Sequence, residues 1–433
     1  MSARLGHRFT LLWSAGSVSA LGSGISNVAV PLLLASMSGD PLVVSGALFA
    51  AMLPFLLFSL LSGGLVDRWD RRVVMVAVDW TCGAVMGCLA LAVATGRPSV
   101  PLLYAVSFLI STGATLHRTA ESSMIATVVA TDLLERANGR FMAARTVARD
   151  MLAGPLGGFL FVVAPTVPFA ADAATFVVAG ILLMFLRGRF RAPRPEAAGQ
   201  EAAGQEAAGQ EASAQEAEHR ATLVAEIREG LRWLLANRLL RTFGLLIGLL
   251  NVTLTAALAI LVLLARERLG LGEIGYGALF TALAVGALAG SLGGEWLVRT
   301  AGASVTLRVG LVIETAFHLT LAVSPNPYVV GVGFAVFGVH AALWTIVTGS
   351  LLQRLTPPAM IGRASSTYLF LANAGNAFGA LLGGAVGARF GLTSPYWIGF
   401  VVAAVVTATT WRVFDRATIA AAYVTRQPDN LTT

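Results

Sequence analysis

The chain carries little charge and has no lysine. Charged residues make up 12% of its 433 residues, whereas soluble domains carry roughly 25%. All 30 basic residues are arginine, and hydrophobic residues make up 56% of the chain. This composition excludes a set of soluble domains and indicates a polytopic membrane protein. The net charge of +7 is expected to orient loops at a membrane, so we expect no nucleic-acid partner.

Cysteine and histidine are also scarce. The two cysteines, Cys82 and Cys88, lie in one apolar segment at a spacing that points them to different helix faces, which predicts neither a disulfide nor a metal pair. The sequence contains five histidines and shows no nucleotide-binding loop, metal-ligand spacing or nucleophile motif. We therefore expect no enzymatic activity, no cofactor and no metal site.

Long apolar runs fill most of the chain. About twelve of them reach the length that a helix needs to cross hydrocarbon, and they lack the alternation of a membrane β-barrel. The sequence thus predicts an all-α polytopic membrane protein. The predicted spans are 9–34, 43–66, 73–95, 101–117, 140–164, 168–187, 239–264, 275–298, 305–324, 328–352, 365–388 and 395–412.

The arginines predict the orientation of the chain. With the N-terminus in the cytoplasm, 24 of the 30 arginines fall in cytoplasmic segments, four fall outside, and Arg145 and Arg149 lie within the fifth span. Because cytoplasmic loops carry an excess of basic residues, both termini are expected in the cytoplasm. The first span, which follows a short basic segment without a cleavage site, is expected to remain as an anchor.

A low-complexity segment divides the predicted spans into two groups of six. Residues 196–218 repeat Glu-Ala-Ala-Gly-Gln with drift and contain no large apolar residue, which is typical of a flexible linker. An amphipathic helix is predicted over 223–241. The expected organisation is 1–190 as the first six-helix half, 191–222 as the linker, 223–412 as the amphipathic helix and second half, and 413–433 as a cytoplasmic tail.

A charged decapeptide separates the second and third spans. It reads Gly63-Gly64-Leu65-Val66-Asp67-Arg68-Trp69-Asp70-Arg71-Arg72, and this order resembles the signature loop between helices 2 and 3 of the major facilitator superfamily. The resemblance implies two six-helix repeats that hold a substrate between them and rock to give alternating access. Decayed internal repeats agree with this, since Gly154-Pro155-Leu156-Gly157-Gly158 resembles Gly379 to Gly384.

Further segments resemble one branch of that superfamily, the macrolide-efflux and enterobactin-exporter branch of drug:proton antiporters. They include Trp69-Asp70-Arg71-Arg72, Leu134 to Arg140, Pro168 to Phe176 and Ile361-Gly362-Arg363. The helix-5 motif Gly154, Pro155 and Gly158 also resembles part of the antiporter motif of exporters. The usual glycine one turn earlier is Asp150 here.

The same resemblance implies a conformational latch formed by Gly63, Asp67, Arg68, Arg71 and Arg72. In the family, the equivalent aspartate faces the positive N-terminal end of helix 11 when the cytoplasmic side is closed. That helix is expected to start near Arg363. The alternative interpretation is a charged loop that only fixes topology.

Polar residues at membrane depth are the candidates for function. Asp150, His340 and Glu314 are candidates to carry a coupling proton. The structural alternatives are a neutralised pair for Asp150, a core histidine for His340, and a hydrogen bond to His318 or a tether between helices for Glu314. Ser23 stands where the branch often has an acid, which leaves coupling to those three residues or to none. The predicted substrate-binding residues are Asn27, Arg149, Asp150, Asn251, His340, Trp344, Asn373 and Asn376.

The expected function is export of a small amphipathic compound, such as an antibiotic, secondary metabolite or siderophore, across the bacterial inner membrane. The expected exchange partner is the proton, and the protein is expected to act as a monomer in the lipid bilayer. Two alternatives stay open, which are uptake of a small nutrient and a non-transporting receptor or scaffold. The helix-5 Gly-Pro pair favours export over uptake. A scaffold would not need both Asp67 and the internal repeats.

Overall fold

The computed structural model describes residues 5–58, 69–188, 190, 232, 235–236, 238–357 and 360–424. Side chains are described for the same residues except 362, 363 and 421–424. The predicted linker, 191–222, lies outside this part of the chain, as do Gly63, Asp67 and Arg68 of the predicted latch.

Among the residues that the structure describes, twelve helices form the bundle, and a short helix follows them. In the described part of the chain, 11 helices are long and apolar enough to cross a membrane, and Ser394–Thr410 is a shorter apolar helix. The fold is thus the expected all-α membrane bundle. The helices are α1 Gly6–Met37, α2 Pro41–Phe58, α3 Arg71–Ala94, α4 Val100–Val128, α5 (Leu134–Arg145, Thr146–Leu152 and Ala153–Val163), α6 Val167–Met184, α7 (Arg238–Ala259 and Leu261–Glu267), α8 Glu273–Ala301, α9 Ala303–Val323, α10 Pro327–Leu355, α11 Ile361–Phe390, α12 Ser394–Thr410 and α13 Arg416–Val424.

Helix α4 is longer than the sequence predicts. The expected span ended at residue 117, because Arg118 and Glu121 interrupt the apolar run, but α4 continues to Val128. Glu121 is buried at 3% exposure, and Arg118 faces an internal cavity. Arg118, counted above among the cytoplasmic loop arginines, therefore belongs to a spanning helix.

The start of α3 is fastened to the end of α6. The Asp70 carboxylate caps α3 by accepting from the amides of Arg72 and Val73, at 3.0 and 3.4 Å, and it also accepts from the Phe190 amide at 3.0 Å. Arg72 donates to the carbonyls of Leu183 and Met184 near the end of α6. Asp70 therefore serves as a helix cap and a tie between two helices.

Helix α5 changes geometry in its middle. Thr146–Leu152 is a π-helical stretch between two α-helical stretches. Pro155 follows it, and a proline nitrogen has no hydrogen to donate to the carbonyl four residues earlier. π-helical turns inside α-helices occur frequently at functional sites. The predicted residues Arg149 and Asp150 lie in this stretch.

The helices pack as two halves. In the first half α1 packs on α5 and α6, and α3 packs on α4 and α6; in the second α7 packs on α11, α8 on α10, and α9 on α12. The main contacts between the halves pair α2 with α11 and α5 with α8. This arrangement agrees with the expected two six-helix halves.

The buried cores show at which end the halves meet. We call the end of the bundle that holds the start of α1 and the end of α12 the terminus side. One large core cluster, at the opposite side, takes residues from both halves, whereas two smaller clusters at the terminus side each belong to one half. Among the described residues, the halves are therefore joined at the side opposite the termini and separate at the terminus side. Representative members are Leu34, Leu89, Leu261, Tyr276 and Leu321 in the shared core, Phe9, Met75 and Met124 in the first half, and Phe243, Leu307 and Phe414 in the second.

The predicted cytoplasmic tail contains structure. Asp415 caps α13 by accepting from the Thr418 amide at 2.6 Å, and this bond holds the pKa of the exposed Asp415 carboxyl below its usual range. Phe414 and Ile419 pack into the second-half core at 0% and 3% exposure. The first residues after α12 are thus part of the folded second half.

Candidate functional site

A polar cavity lies within the first half, among α1, α3, α4, α5 and α6. Its empty volume is about 580 Å³, and this figure includes space that is open to solvent. Small and apolar residues line part of its wall, including Ala20, Val78, Ile110 and Phe176. Six ionisable residues line the rest: Asp79, His117, Arg118, Glu121, Arg145 and Arg149.

The two carboxylates of the cavity are buried and already engaged. Asp79 on α3 is 1% exposed, and its Oδ1 lies 3.4 Å from Nε2 of His117 on α4. Glu121, one turn after His117, is 3% exposed and forms an ion pair with Arg145 on α5. Buried charges are costly unless paired, and these contacts supply part of that pairing. Both Asp79 oxygens and Glu121 Oε1 have no hydrogen-bond partner among the described residues.

Two arginines of the cavity have no such partner among the described residues. The side chains of Arg118 and Arg149 are exposed to the cavity. The guanidinium of Arg118 lies 5.5 Å above the ring of Phe55 on α2, in a cation–π contact. The π-helical stretch carries Arg149, whose nearby acids Asp150 and Asp172 do not line the cavity.

A second buried cluster lies in the other half. Glu314 on α9 is 4% exposed, and its two oxygens lie 3.3 Å from Nε2 of His340 on α10 and 3.5 Å from Nε2 of His318, one turn along α9. Both histidines are buried, at 5% and 0% exposure. Trp344 lies beside His340, with ring centres 5.8 Å apart. The contact with His340 ties α9 to α10, whereas Glu314 Oε1 and His318 Nε2 have no hydrogen-bond partner among the described residues.

The two carboxylate–histidine contacts occupy corresponding places in the two halves. Asp79 and His117 join the third and fourth helices of the first half, and Glu314 and His340 join the third and fourth helices of the second. Each half thus holds one buried acid against one imidazole. The first-half contact lies closer to the terminus side, since Asp79 is near the start of α3 whereas Glu314 is in the middle of α9.

The helix-5 motif lies on the contact between the halves. A Cβ on Gly154 would stand 2.5 Å from the carbonyl oxygen of Gly277 on α8, and one on Gly158 would overlap the carbonyl of Glu273. These two helices therefore approach backbone to backbone, which only glycine permits here. The approach is part of the closure opposite the termini.

Pro155 completes this contact. Its nitrogen leaves the carbonyl of Met151 without the usual helical donor, and the hydroxyl of Thr281 on α8 donates to that carbonyl at 3.0 Å. A backbone carbonyl that lacks its helical donor in the first half thus accepts a hydrogen bond from a side chain of the second half. A second hydrogen bond between the halves lies at the side opposite the termini, where Arg266 near the end of α7 donates to the carbonyl of Ala35 near the end of α1, at 2.9 Å.

The predicted uncharged contacts are dispersed. Asn27 is exposed on α1, and Asn373 is half-buried on α11. Asn251 bonds within its own helix, to the Ile247 carbonyl at 2.6 Å, and Asn376 accepts from Thr255 of α7 at 2.8 Å. Of the four asparagines, Asn376 thus accepts a hydrogen bond from another helix, whereas the hydrogen bond of Asn251 stays within its own helix. None of them lines the cavity in the first half.

Two of the predicted latch residues are described. Arg71 donates to the Thr127 hydroxyl at 3.2 Å, and Arg72 binds α6 as given above. In this structure both tie helices of the first half together, at the terminus side. The predicted partner of Asp67, the start of α11, lies at that same side.

Sequence reasoning missed four residues of the cavity: Asp79, His117, Arg118 and Glu121. One signal was available, because Asp79 is a lone acid within an apolar span and such residues are functional candidates. The other three stood at the end of a span that was predicted too short.

In the described part of the chain, a bundle of 11 membrane-length helices and one shorter apolar helix, closed at one side and holding a polar cavity, has the architecture of a membrane transporter. The family model described as transmembrane secretion effector matches residues 4–428. The chain therefore belongs to this family of the major facilitator superfamily, and it is a multi-pass transporter of the efflux type. The expected superfamily and fold are confirmed.

Relatives and solved structures agree with this assignment. The chain is 25% identical over 390 residues to the enterobactin exporter EntS of Shigella boydii serotype 4, covering 88% of this chain and 85% of that protein. EntS of Escherichia coli O139:H28 matches with the same identity and coverage. Among solved structures, a bacterial homologue of the iron transporter ferroportin in an inward-facing state has a TM-score of 0.71 at 15% identity, covering 94% of this chain and 99% of that one. A variant of the nucleoside transporter NupG has a TM-score of 0.72 at 10% identity, covering 95% and 100%. These structures show the fold alone.

Proposed function

We propose that this protein is a secondary active transporter that exports a small amphipathic compound across the bacterial cytoplasmic membrane. Export proceeds by alternating access in exchange for protons, and a single chain is the working unit. The observation that carries the proposal is the polar cavity in a bundle whose halves meet at one side. The secretion-effector family and the EntS relatives favour export over the uptake of a nutrient.

The orientation follows from the arginine distribution and remains part of the proposal. With both termini in the cytoplasm, the closed side faces outward and the cavity is loaded from the cytoplasm. Rocking of the halves would then separate α5 from α8 and α2 from α11, which exposes the cavity to the outside. A cysteine introduced into the exposed loop at Gly96 should react with an impermeant maleimide in intact cells. Protection of that cysteine in intact cells would contradict the orientation.

The contact between Glu314 and His340 is our first candidate for the proton site. A buried acid beside two imidazoles provides a place for a proton that is shielded from solvent, and imidazole is the side chain whose charge changes nearest to neutral pH. It lies in the second half, away from the cavity. Substrate and proton would thus bind different halves and be coupled through their common motion. Asp150, exposed in the π-helical stretch, is the second candidate.

The test is substrate-induced proton movement in everted membrane vesicles. Three probes that share a naphthalene ring are offered to the vesicles as substrates: 1-naphthoate, 1-naphthamide and 1-naphthylmethylammonium. Glu314→Gln or His340→Ala should abolish uphill transport while sparing downhill exchange, and Asp150→Asn is measured beside them. The control is Glu267→Gln, at an exposed glutamate near the end of α7. If all three variants keep full coupling, proton exchange through these residues is wrong.

A further inference from the structure

We propose that the first-half cavity binds a negatively charged group of the substrate through Arg118 and Arg149. The transported compound is then an amphipathic anion, with a carboxylate or another oxyanion attached to an apolar body. This inference rests on the proposed export function and specifies the chemical class of its substrate.

The argument begins with the charges that a ligand in the cavity can touch. The acids are withdrawn from it, because Asp79 and Glu121 are 1% and 3% exposed and already contact His117 and Arg145. The guanidiniums of Arg118 and Arg149 are exposed to it. The accessible surface of the cavity is therefore cationic, whatever the total charge of the surrounding residues.

The two arginines are also free to bind. Among the described residues, neither guanidinium has a hydrogen bond or an ion pair within 4.0 Å. Arg118 lies over the ring of Phe55, and the acids near Arg149 are Asp150 and Asp172. An arginine at membrane depth is costly unless it faces water, a partner or a ligand. A guanidinium presents several donors in a fork that fits a carboxylate or another oxyanion. The free donors point to an oxyanion as the missing partner.

The rest of the wall suits an apolar body. Val78, Ile110 and Phe176 line the cavity beside the arginines. Helix geometry contributes as well, since the π-helical stretch shifts the direction of Arg149 relative to a regular α5. A ligand with one charged and one aromatic or aliphatic end matches both parts of the wall.

The membrane potential agrees with the direction of transport. The interior of a cell is electrically negative, so an anion that moves outward is driven by the potential. If each anion leaves as a proton enters, both movements carry charge in the same electrical sense. Export of an anion by this protein would therefore be strongly favoured by the membrane potential.

The test is equilibrium binding of the three naphthalene probes to the purified full-length protein in lipid nanodiscs. Their aromatic bodies are the same, and their head groups are negative, neutral and positive. Hydrogen bonds to charged groups predict that 1-naphthoate binds roughly 10- to 100-fold more tightly than 1-naphthamide. Arg118→Gln or Arg149→Gln should remove most of this preference. The matched control is Arg97→Gln, at an exposed loop arginine, and it should keep the preference.

A lysine variant distinguishes loss of the binding site from loss of folding. Arg149→Lys keeps the charge and loses the fork, so it should retain part of the preference. The proposal is overturned if the wild-type protein binds the three probes equally, prefers the ammonium, or shows no binding of 1-naphthoate. It is also overturned if the preference survives in folded Arg118→Gln and Arg149→Gln proteins.

The outcome separates this inference from the proposed function. If vesicles export 1-naphthylmethylammonium against its gradient and the arginine variants have no effect, export stands and the anion site is wrong. If 1-naphthoate binds through the arginines but never moves against its gradient, the anion site stands and active export is wrong.

Discussion

The close approach of α5 and α8 makes a quantitative prediction about the balance between the two states of the transporter. In Gly154→Ala, the new Cβ would stand 2.5 Å from the Gly277 carbonyl oxygen and 3.3 Å from the Thr281 hydroxyl. Ordinary contact needs about 3.4 Å, so the helices must separate by about 0.9 Å. The neighbouring atom at 2.5 Å belongs to the backbone and cannot rotate away. The closed side should therefore open more often.

The magnitude follows from the cost of overpacking. Extra atoms in a well-packed contact cost about 1–3 kcal/mol. This cost corresponds to a change of about 5- to 150-fold in the ratio of the open population to the closed population at the side opposite the termini. The same substitution also raises intrinsic helix stability, but it does so in both states and cancels. Gly139→Ala, on the same helix with no atom within 4 Å of the new Cβ, is the matched control.

The assay is the reaction rate of a reporter cysteine with a membrane-impermeant maleimide. Ser45 of α2 is 0% exposed and meets Gly384 of α11 at the closed side. In a background without the two native cysteines, Ser45→Cys reacts only when that side opens, so its rate follows the open population. Gly154→Ala should raise the rate about 5- to 150-fold. An unchanged rate in a folded Gly154→Ala protein would refute the packing argument.

Three further predictions concern single contacts. Thr281→Val removes the hydrogen bond to the Met151 carbonyl and should raise the reporter rate about 2- to 10-fold, whereas Thr281→Ser should keep the wild-type rate. Asp70→Ala removes a helix cap and should lower the free energy of unfolding by about 0.5–2 kcal/mol in thermal or denaturant unfolding; Asp70→Asn, which keeps a capping oxygen, should lose less. Deleting one or two pentads from residues 196–218 should preserve transport in vesicles, since that segment has no apolar surface to bury. Loss of transport with normal membrane insertion would contradict this last expectation.

The helical architecture could be predicted from the sequence because a bilayer imposes length and apolarity on every span. The end of α4 could not. Arg118 and Glu121 interrupt the local pattern, and the helix continues through them because Arg145 and the cavity accommodate their charges. Those partners come from a distant part of the chain, so no local window detects them.

The candidate site was predictable where contacts are local. Glu314 and His318 are one turn apart, and their contact follows from helix spacing. The contact of Glu314 with His340 depends on how α9 packs against α10, and the contact of Asp79 with His117 depends on α3 and α4. Sequence spacing does not show which residues of two different helices face each other, which is why His340 was predicted to bind substrate and His117 was missed.

The proposed latch and the glycine contact act at opposite sides of the bundle, so their effects should oppose each other. Gly154→Ala destabilises closure on the side opposite the termini. The Asp67 latch, which remains a prediction from the family resemblance, would stabilise closure on the terminus side, so Asp67→Asn should favour the arrangement described here. A helix-dipole contact contributes roughly 1–2 kcal/mol, which overlaps the cost of the added methyl group. The double variant Asp67→Asn with Gly154→Ala should therefore return the Ser45→Cys reaction rate toward the wild-type value. If Asp67→Asn leaves the raised rate of Gly154→Ala unchanged, the charged loop fixes topology and is not a latch.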